Sequence, residues 1–217
     1  MRKLLPFAAA ALIAGVAQFA ISLPAAAQLT AGKDYVLVSP AQPTETKGKV
    51  EVLEFFSYGC PHCQELEPQL DKWSKAQGRD VGLRRVPITF GRDVWTPLAK
   101  MYYALEAMGE LERMHGVVFD ALHNQRVPLN VEAAQFEWIA GKGLDGKKYQ
   151  DLYKSFTVQS KVARAQQIAA AYKITGVPTM AVGGRFMTSG SLTGSHEAML
   201  RTVDQLIVTA RADLGKK

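Results

Sequence analysis

The hydrophobic pattern of the chain changes at residues 60–63, where one kind of apolar segment ends and another begins. The run that starts at Val50 and stops at Cys60 and Cys63 has Val, Leu and Phe on both of its alternating faces, which is typical of a strand buried in the middle of a sheet. From Gln64 to Gln77 the apolar residues recur at helical spacing, as Leu66, Leu70 and Trp73. The pattern therefore predicts a buried strand followed directly by a helix, with Cys60 at the junction.

Further segments have strand character. Val81–Ile88 follows the predicted helix and completes a β-α-β unit, whose two strands are expected to run parallel. Tyr35–Val38 is a short strand candidate nearer the N-terminus. Towards the C-terminus, Thr179–Val182 and Arg185–Thr188 flank Gly183-Gly184, a pair typical of a tight hairpin turn. We expect these segments to belong to one sheet.

Between residues 90 and 172 the strand signal is absent and helical spacing replaces it. Five helices are predicted there: one that Thr96-Pro97 opens and Gly109 ends, then Glu110–His123, Val131–Ala140, Lys147–Lys154 and Val158–Lys173. A last amphipathic helix is predicted over Ser195–Arg211. We therefore expect residues 28–90 and 160–217 to form one domain, with residues 91–159 inserted into it as a helical domain.

The first 27 residues have the composition of an export signal. Two basic residues open the chain, Leu4–Leu23 is almost wholly apolar, and Ala25-Ala26-Ala27 places small residues at the cleavage positions. We expect a Sec-type signal peptide that is cleaved after Ala27. An uncleaved membrane anchor is the alternative, because the apolar run is long enough to span a bilayer marginally, but Pro24 and the alanines favour cleavage.

The overall charge of the chain is mild. The formal net charge is +6, and Arg2 and Lys3 in the leader supply two of these units, so the mature chain carries +4. No block of lysines or arginines appears, and a mixed, solvated surface is the simplest interpretation. Charge therefore does not favour a nucleic-acid partner.

The only two cysteines of the chain, Cys60 and Cys63, lie at the predicted junction of strand and helix. The first turn of a helix has unpaired N–H groups and the positive end of the helix dipole, and both stabilise a thiolate. Cys60 is therefore expected to be acidic and to attack, whereas Cys63 is carried inward and resolves. Pro61 suits the first helical position, and His62 adds an imidazole that can lend positive charge to the thiolate.

The cysteine pair has two other possible interpretations. A closed zinc site needs four ligands, but there is no second cysteine pair, and the histidines other than His62 are scattered, at His115, His123 and His196. A purely structural disulfide is the other alternative, although so short a loop constrains the unfolded chain very little. Redox catalysis, in the oxidising compartment that export implies, is favoured over both.

The segment Phe55-Phe56-Ser57-Tyr58-Gly59-Cys60-Pro61-His62-Cys63, with Glu54 six residues before the first cysteine, closely resembles the active site of DsbA-type thiol:disulfide oxidoreductases of the bacterial periplasm. Its Cys-Pro-His-Cys core separates this group from thioredoxin itself. The resemblance covers nearly all of the mature chain and implies an α/β protein with a thioredoxin-like fold interrupted by an inserted all-helical domain. It also implies a redox-active Cys60–Cys63 disulfide that needs no bound cofactor.

A second motif, Gly176-Val177-Pro178-Thr179, lies immediately before a predicted strand. A proline there cannot donate to the sheet, so an edge or a special turn is expected. Sequence alone does not favour a cis bond. The thioredoxin family, however, places a cis-proline loop of this kind opposite the reactive cysteine, and the resemblance implies this role for Val177 and Pro178. The backbone of Val177 would then pair with an extended substrate segment.

Glu54 is the third candidate site residue. By strict alternation it shares a face with Val50, Val52 and Phe56, so that its carboxyl group is expected in apolar surroundings that raise its pKa. Such a group can relay protons to Cys63. The alternative is a glutamate that faces solvent at the margin of the sheet. Arg85 falls on the neighbouring strand, where related proteins also have a basic residue, and is a candidate partner.

The resemblance and the motifs together predict a periplasmic thiol oxidase that donates its disulfide to unfolded exported proteins. A membrane-bound, quinone-linked oxidase of the DsbB type is the implied partner for reoxidation, and a monomer is expected. An isomerase or reductase of the same fold is the nearest alternative, but known isomerases of that kind carry an N-terminal dimerisation domain, for which residues 28–59 leave no room. A peptide-binding chaperone without catalysis is the alternative from another class.

Overall fold

The computed structural model describes residues 28–214, so the predicted signal peptide lies outside the described residues. Within this range five strands form one mixed sheet in the order β1-β5-β4-β2-β3. Their bounds are β1 Val36–Leu37, β2 Val50–Phe56, β3 Val81–Pro87, β4 Thr179–Val182 and β5 Phe186–Ser189. Each of the predicted strands is present, and the four strands for which both ends were predicted differ from the prediction by at most one residue at either end.

The strand β2 is the inner strand on which the cysteine motif is built. Every one of its side chains is buried, because it pairs in parallel with β3 on one side and antiparallel with β4 on the other. Helix α1 (Pro61–Ala76) connects β2 to β3. The predicted β-α-β unit is therefore confirmed, and the apolar character of both faces of β2 is explained by its inner position.

Helices cover both faces of the sheet, so the alternation along β2 sorts its side chains into two cores. On one face, Val50 and Val52 pack with α1 and with α8 (His196–Leu214). On the other face, Leu53 and Phe55 pack with α6 (Phe156–Ala171). Each such side chain contributes about 1.5–3 kcal/mol to stability when fully buried. Glu54 belongs to the face covered by α1.

The segment between β3 and β4 is helical, as predicted. After a 3₁₀ turn at Asp93–Trp95 it contains α2 Thr96–Met108, α3 Leu111–His123, α4 Glu132–Gly141, α5 Gly146–Lys154 and α6. Its core extends to Phe56 and Cys63 of the cysteine motif. The predicted boundary between residues 159 and 160 lies inside α6, which contacts both α2 and β3. The division into two domains stays a prediction.

The hairpin between β4 and β5 has the predicted glycine turn. Gly183 and Gly184 have φ angles of 58° and 71°, and a two-residue turn with positive φ at both positions strongly favours glycine. The short helix α7 (Gly190–Thr193) follows β5 directly and was not predicted, because a single turn is too short to show helical periodicity. In the described part of the chain, no helix is long and apolar enough to cross a membrane.

Candidate active site

The cysteine motif lies where β2 passes into α1 through a tight turn. The N–H of Cys60 donates to the carbonyl oxygen of Ser57 at 3.0 Å, which closes the turn. Cys60 itself is the N-cap of α1, with φ −104° and ψ 116°, and Pro61 is the first helical residue. The N-terminus of the helix, with the backbone N–H groups of His62 and Cys63, therefore lies beside the Cys60 side chain.

Cys60 and Cys63 are both free thiols in this structure. The pKa of Cys60 is lowered from its ordinary value of 9.0 to about 6. The largest cause is the hydrogen bond from the Cys63 thiol, followed among the favourable causes by the backbone N–H groups of Cys63 and His62 and by the charge of the His62 imidazole. Burial opposes the shift but does not cancel it. Cys60 is therefore largely a thiolate at neutral pH.

The two sulfurs differ because only one of them lies within reach of solvent and of the helix N-terminus. Cys63 has no exposed surface, while Cys60 keeps 7%. Burial is the main cause that raises the pKa of Cys63, and the hydrogen bond and charge of Cys60 add to it. Cys63 therefore stays a neutral thiol while Cys60 ionises.

His62 lies outside the buried site. Its side chain is 71% exposed, and Nδ1 is 3.1 Å from a carboxylate oxygen of Glu65 one turn further along α1. The hydrogen bond to Glu65 is the main cause that raises the pKa of His62, and the charges of Glu65 and Cys60 act in the same direction. His62 therefore acts on Cys60 chiefly through its backbone N–H and, more weakly, through its charge.

The loop before β4 faces the reactive cysteine. The peptide bond between Val177 and Pro178 is cis, as the resemblance implies, and the carbonyl oxygen of Val177 lies 3.5 Å from the Cys60 sulfur. A groove of about 730 Å³ begins at this loop and continues along β5 and α7 to the start of α8. Only His62 and His196 among its lining residues carry ionisable side chains.

Comparison with known proteins agrees with this geometry. A family model described as a DSBA-like thioredoxin domain matches residues 51–196. The chain is 45% identical over 202 residues to the thiol:disulfide interchange protein DsbA of Bordetella parapertussis, covering 92% of this chain and 96% of that protein. It is 38% identical over 187 residues to the DsbA of Pseudomonas aeruginosa, with coverages of 86% and 88%.

The chain belongs to the DsbA family. Among solved structures, the crystal structure of Pseudomonas aeruginosa DsbA matches with a TM-score of 0.82 at 39% identity, covering 87% of this chain and 97% of that one. DsbA from Xylella fastidiosa matches with a TM-score of 0.79 at 33% identity, with coverages of 85% and 98%. The predicted thioredoxin-like α/β fold and the predicted activity, that of a thiol:disulfide oxidoreductase, are thereby confirmed.

In this DsbA-family enzyme, Glu54 is a buried residue, and the alternative of a solvent-facing glutamate is wrong. Its side chain has no exposed surface, and a carboxyl oxygen lies 3.0 Å from Nε of Arg85, without the geometry of a hydrogen bond. Burial is the main cause that raises the pKa of Glu54 to about 8, and the charge of Arg85 limits the rise. The candidate partner Arg85 therefore lies beside Glu54, and Glu54 is mostly protonated at neutral pH.

Two buried residues that sequence reasoning missed extend this cluster. Nη2 of Arg85 donates to both carboxylate oxygens of Glu67 in α1, at 2.9 and 3.1 Å. Nε2 of His115 in α3 lies 3.2 Å from Glu67, and burial lowers the pKa of His115, so that it is neutral. A sequence signal existed, because Glu67 follows Cys63 by four residues and hence shares its face of α1.

The described residues do not assemble a metal site. Among residues 28–214 no three His, Cys, Asp or Glu side chains are grouped so that they could hold an ion together. The histidines that sequence analysis weighed as ligands have other partners: His115 and His123 bond to Tyr58, and His62 bonds to Glu65. In this structure, therefore, the side chains of His115 and His123 hold Tyr58 of the cysteine motif.

Proposed function

We propose that this enzyme donates the Cys60–Cys63 disulfide to exported proteins through Cys60. A substrate thiolate attacks the Cys60 sulfur, the bond to Cys63 breaks, and Cys63 leaves with the electron pair and takes up a proton. A second substrate thiolate then attacks the substrate sulfur of the mixed disulfide and releases Cys60 as a thiolate. The substrate gains one disulfide, and the enzyme gains two electrons.

The observation that carries this proposal is the opposite ionisation of the two sulfurs. A thiol with a low pKa is a good leaving group, so a Cys60 pKa of about 6 favours release of the oxidised substrate and leaves the reduced enzyme stabilised. Cys63 has a raised pKa and is enclosed by protein. Substrates therefore meet Cys60 alone, and Cys63 serves for internal closure of the disulfide.

Glu54 supplies the proton that Cys63 needs when it leaves. The carboxyl group is protonated at neutral pH because its pKa is about 8, and its charge is one of the causes that raise the pKa of Cys63. A proton moved from Glu54 to Cys63 transfers the single negative charge from the buried sulfur to the Glu54 carboxylate, where the charge of Arg85 offsets it.

Val177 and Pro178 hold the substrate next to Cys60. An extended segment that pairs with the Val177 backbone places its own cysteine near the Cys60 sulfur, and backbone pairing gives affinity with little sequence selectivity. The adjoining groove supports this role, because its lining carries no side chain with a permanent charge. Partly folded proteins of many sequences are therefore acceptable substrates.

The remaining parts of the proposal follow from family membership and from the leader sequence. The enzyme acts in the periplasm after cleavage behind Ala27, as a monomer and without a bound cofactor. A DsbB-type, quinone-linked membrane oxidase reoxidises the cysteine pair.

The test uses a reduced peptide with two cysteines and the purified mature protein. The oxidised wild type should convert the peptide to its disulfide in one turnover per enzyme. Cys63→Ser, first converted at Cys60 to its mixed disulfide with glutathione, should exchange glutathione for a peptide that has one cysteine blocked and accumulate the enzyme–peptide mixed disulfide, whereas Cys60→Ser should be inactive. Oxidation of the peptide by Cys60→Ser would contradict the proposal. A wild type that binds the peptide but does not oxidise it would also contradict the proposal, and would favour a peptide-binding protein.

A further inference from the structure

The reactive cysteine is the last residue of a four-residue turn, Ser57–Cys60. The hydrogen bond from the Cys60 N–H to the Ser57 carbonyl, 3.0 Å long, closes it, so that Tyr58 and Gly59 are its central residues. The peptide unit between these two residues is the part of such a turn that can rotate, and its two orientations distinguish the two common turn types. The direction in which the chain enters α1 depends on that orientation.

Glycine is required at position 59 for a reason other than backbone conformation. The φ of Gly59 lies outside the left-handed region, but a Cβ atom there would lie 2.6 Å from Nε1 of Trp95. Only glycine lets the indole pack this closely over the turn. Glycine also removes the steric barrier to positive φ, and so by itself leaves both orientations of the central peptide accessible.

Two hydrogen bonds hold the central peptide at both of its ends. Nε2 of His123 is 2.7 Å from the carbonyl oxygen of Tyr58, and the N–H of Gly59 donates to the Ser57 hydroxyl at 3.2 Å. Because a carbonyl oxygen can only accept, His123 carries its proton on Nε2. Rotation of the peptide would break both bonds together.

The donor is itself held in place by its own helix. The imidazole of His123 stacks on the ring of Phe119, with 6.2 Å between centroids and an interplanar angle of 25°. Phe119 in turn meets the ring of Tyr58 edge-on, and the Tyr58 hydroxyl bonds to Nδ1 of His115 at 2.7 Å. Three residues of α3 at a spacing of four therefore hold Tyr58 by its carbonyl, its ring and its hydroxyl.

We propose that His123 is a positioning residue for the thiol–disulfide reaction, which pins the Tyr58–Gly59 peptide in one orientation and thereby aligns Cys60 with the N-terminus of α1. The helical insertion thus takes part in the chemistry without touching the sulfurs. The backbone donors that favour the Cys60 thiolate belong to His62 and Cys63. The alignment of these N–H groups with the Cys60 sulfur depends on the orientation in which the turn places Cys60 at the start of α1. This inference rests on the dithiol chemistry proposed above.

The test compares His123→Gln with His123→Asn, two amides that differ by one methylene. The Gln amide reaches the position of Nε2 and can donate to Tyr58, whereas the Asn amide stops short of it. In the reduced protein, thiolate absorbance against pH should give a Cys60 pKa for His123→Gln like that of the wild type. For His123→Asn we expect a rise of about half a unit, a roughly threefold fall in the ratio of thiolate to thiol below the pKa.

Val118→Ala is the matched control, because Val118 is buried in α3 but is not bonded to the turn. It should lower the denaturation midpoint and leave the Cys60 pKa unchanged. The same pKa in His123→Asn as in the wild type, or a rise as large in Val118→Ala, would overturn the proposal. A wild-type Cys60 that is not acidic would instead refute the proposed function, so that the two failures are distinguishable.

Discussion

At the scale of single residues, the site shows how position alone separates two chemically identical side chains. Cys60 and Cys63 are one helical turn apart, yet the pKa of Cys60 is lowered to about 6 while that of Cys63 is raised. The Cys60 sulfur accepts hydrogen bonds from the S–H of Cys63 and from two backbone N–H groups, whereas the Cys63 sulfur is enclosed by apolar side chains and Glu54. The asymmetry of the reaction follows from this difference in donors and burial.

Replacement of His62 by Tyr tests the part played by the imidazole. The variant keeps the backbone donors and Pro61, and the charge of His62 is the smallest of the causes that lower the Cys60 pKa. We therefore expect the Cys60 pKa to rise by only a fraction of the difference between about 6 and the ordinary value of 9.0. The reduction potential should fall with it. Thiolate absorbance against pH and glutathione equilibration measure the two quantities. Unchanged values in the variant would show that His62 acts through its backbone alone.

Replacement of Glu54 by Gln tests the buried carboxyl group. The folded pKa of about 8 lies above the ordinary 4.5, so the stability that the protonated group contributes is complete below pH 4.5 and is lost as pH rises through 8. Gln cannot ionise. Between pH 5 and pH 8 the wild type should therefore lose stability that Glu54→Gln keeps. The free energy of unfolding of Glu54→Gln should rise relative to that of the wild type by at most about 1.4 kcal/mol per pH unit.

Denaturant melts of the two reduced proteins at several pH values provide the measurement. In the same variant, closure of the Cys60–Cys63 disulfide should be slower, because Cys63 has lost its proton partner, while the Cys60 pKa should change less than in His62→Tyr. A stability difference that is constant from pH 5 to pH 8 would contradict the raised pKa of Glu54.

At the scale of secondary structure elements, three separate segments determine the surroundings of the Cys60 sulfur. The N-terminus of α1 supplies the donors, the loop before β4 supplies the Val177 carbonyl opposite it, and α3 holds the turn from behind. The stabilisation of the thiolate by α1 exists only when the disulfide is open. The dithiol form is therefore expected to be the more stable one, unlike in most disulfide proteins.

The predicted stability of the reduced form depends on pH. The Cys60 pKa falls from 9.0 to about 6 on folding, so this contribution is complete above pH 9 and disappears as pH falls through 6. The four-residue ring of the disulfide adds little opposing entropy. Matched denaturant melts at pH 7.5 should give a higher midpoint for the reduced protein, with a gap that narrows towards pH 5. A higher midpoint for the oxidised form at pH 7.5 would refute this.

The sequence was sufficient to predict the secondary structure elements but not all of the contacts between them. Periodicity placed the helix Glu110–His123 almost to the residue, and the cysteine motif located the junction with α1. The roles of His115 and His123 stayed hidden, because periodicity tells which residues share a face and not which element that face will meet. Their spacing of eight residues, with Phe119 midway, was the available signal for one continuous stripe.

At the scale of the whole molecule, the active site lies on the seam between the sheet and the helical segment. Phe56 and Cys63 belong to the core of the helical segment, while Val50 and Val52 of the same strand belong to the core shared with α8. Helix α6 contacts both parts. The insertion is therefore structurally joined to the catalytic strand, which is consistent with its part in positioning Tyr58.

The mature enzyme is expected to begin at Gln28 and to be monomeric. Mass spectrometry of the protein exported by a bacterial host should give the mass of residues 28–217, and sedimentation should give one species of that mass. Retention of the leader would indicate an anchored protein. A dimer in solution would revive the isomerase alternative.

The equilibrium of the cysteine pair with glutathione tests most directly whether the reduced form is stabilised through the Cys60 thiolate. If the Cys60 thiolate is stabilised as described, the reduced form is favoured, and the pair should be half reduced in buffers that contain mostly oxidised glutathione. Trapping of free thiols with an alkylating agent measures the reduced fraction at each ratio. A pair that stays oxidised until reduced glutathione is in large excess would behave as a reductant of the thioredoxin kind and contradict the account.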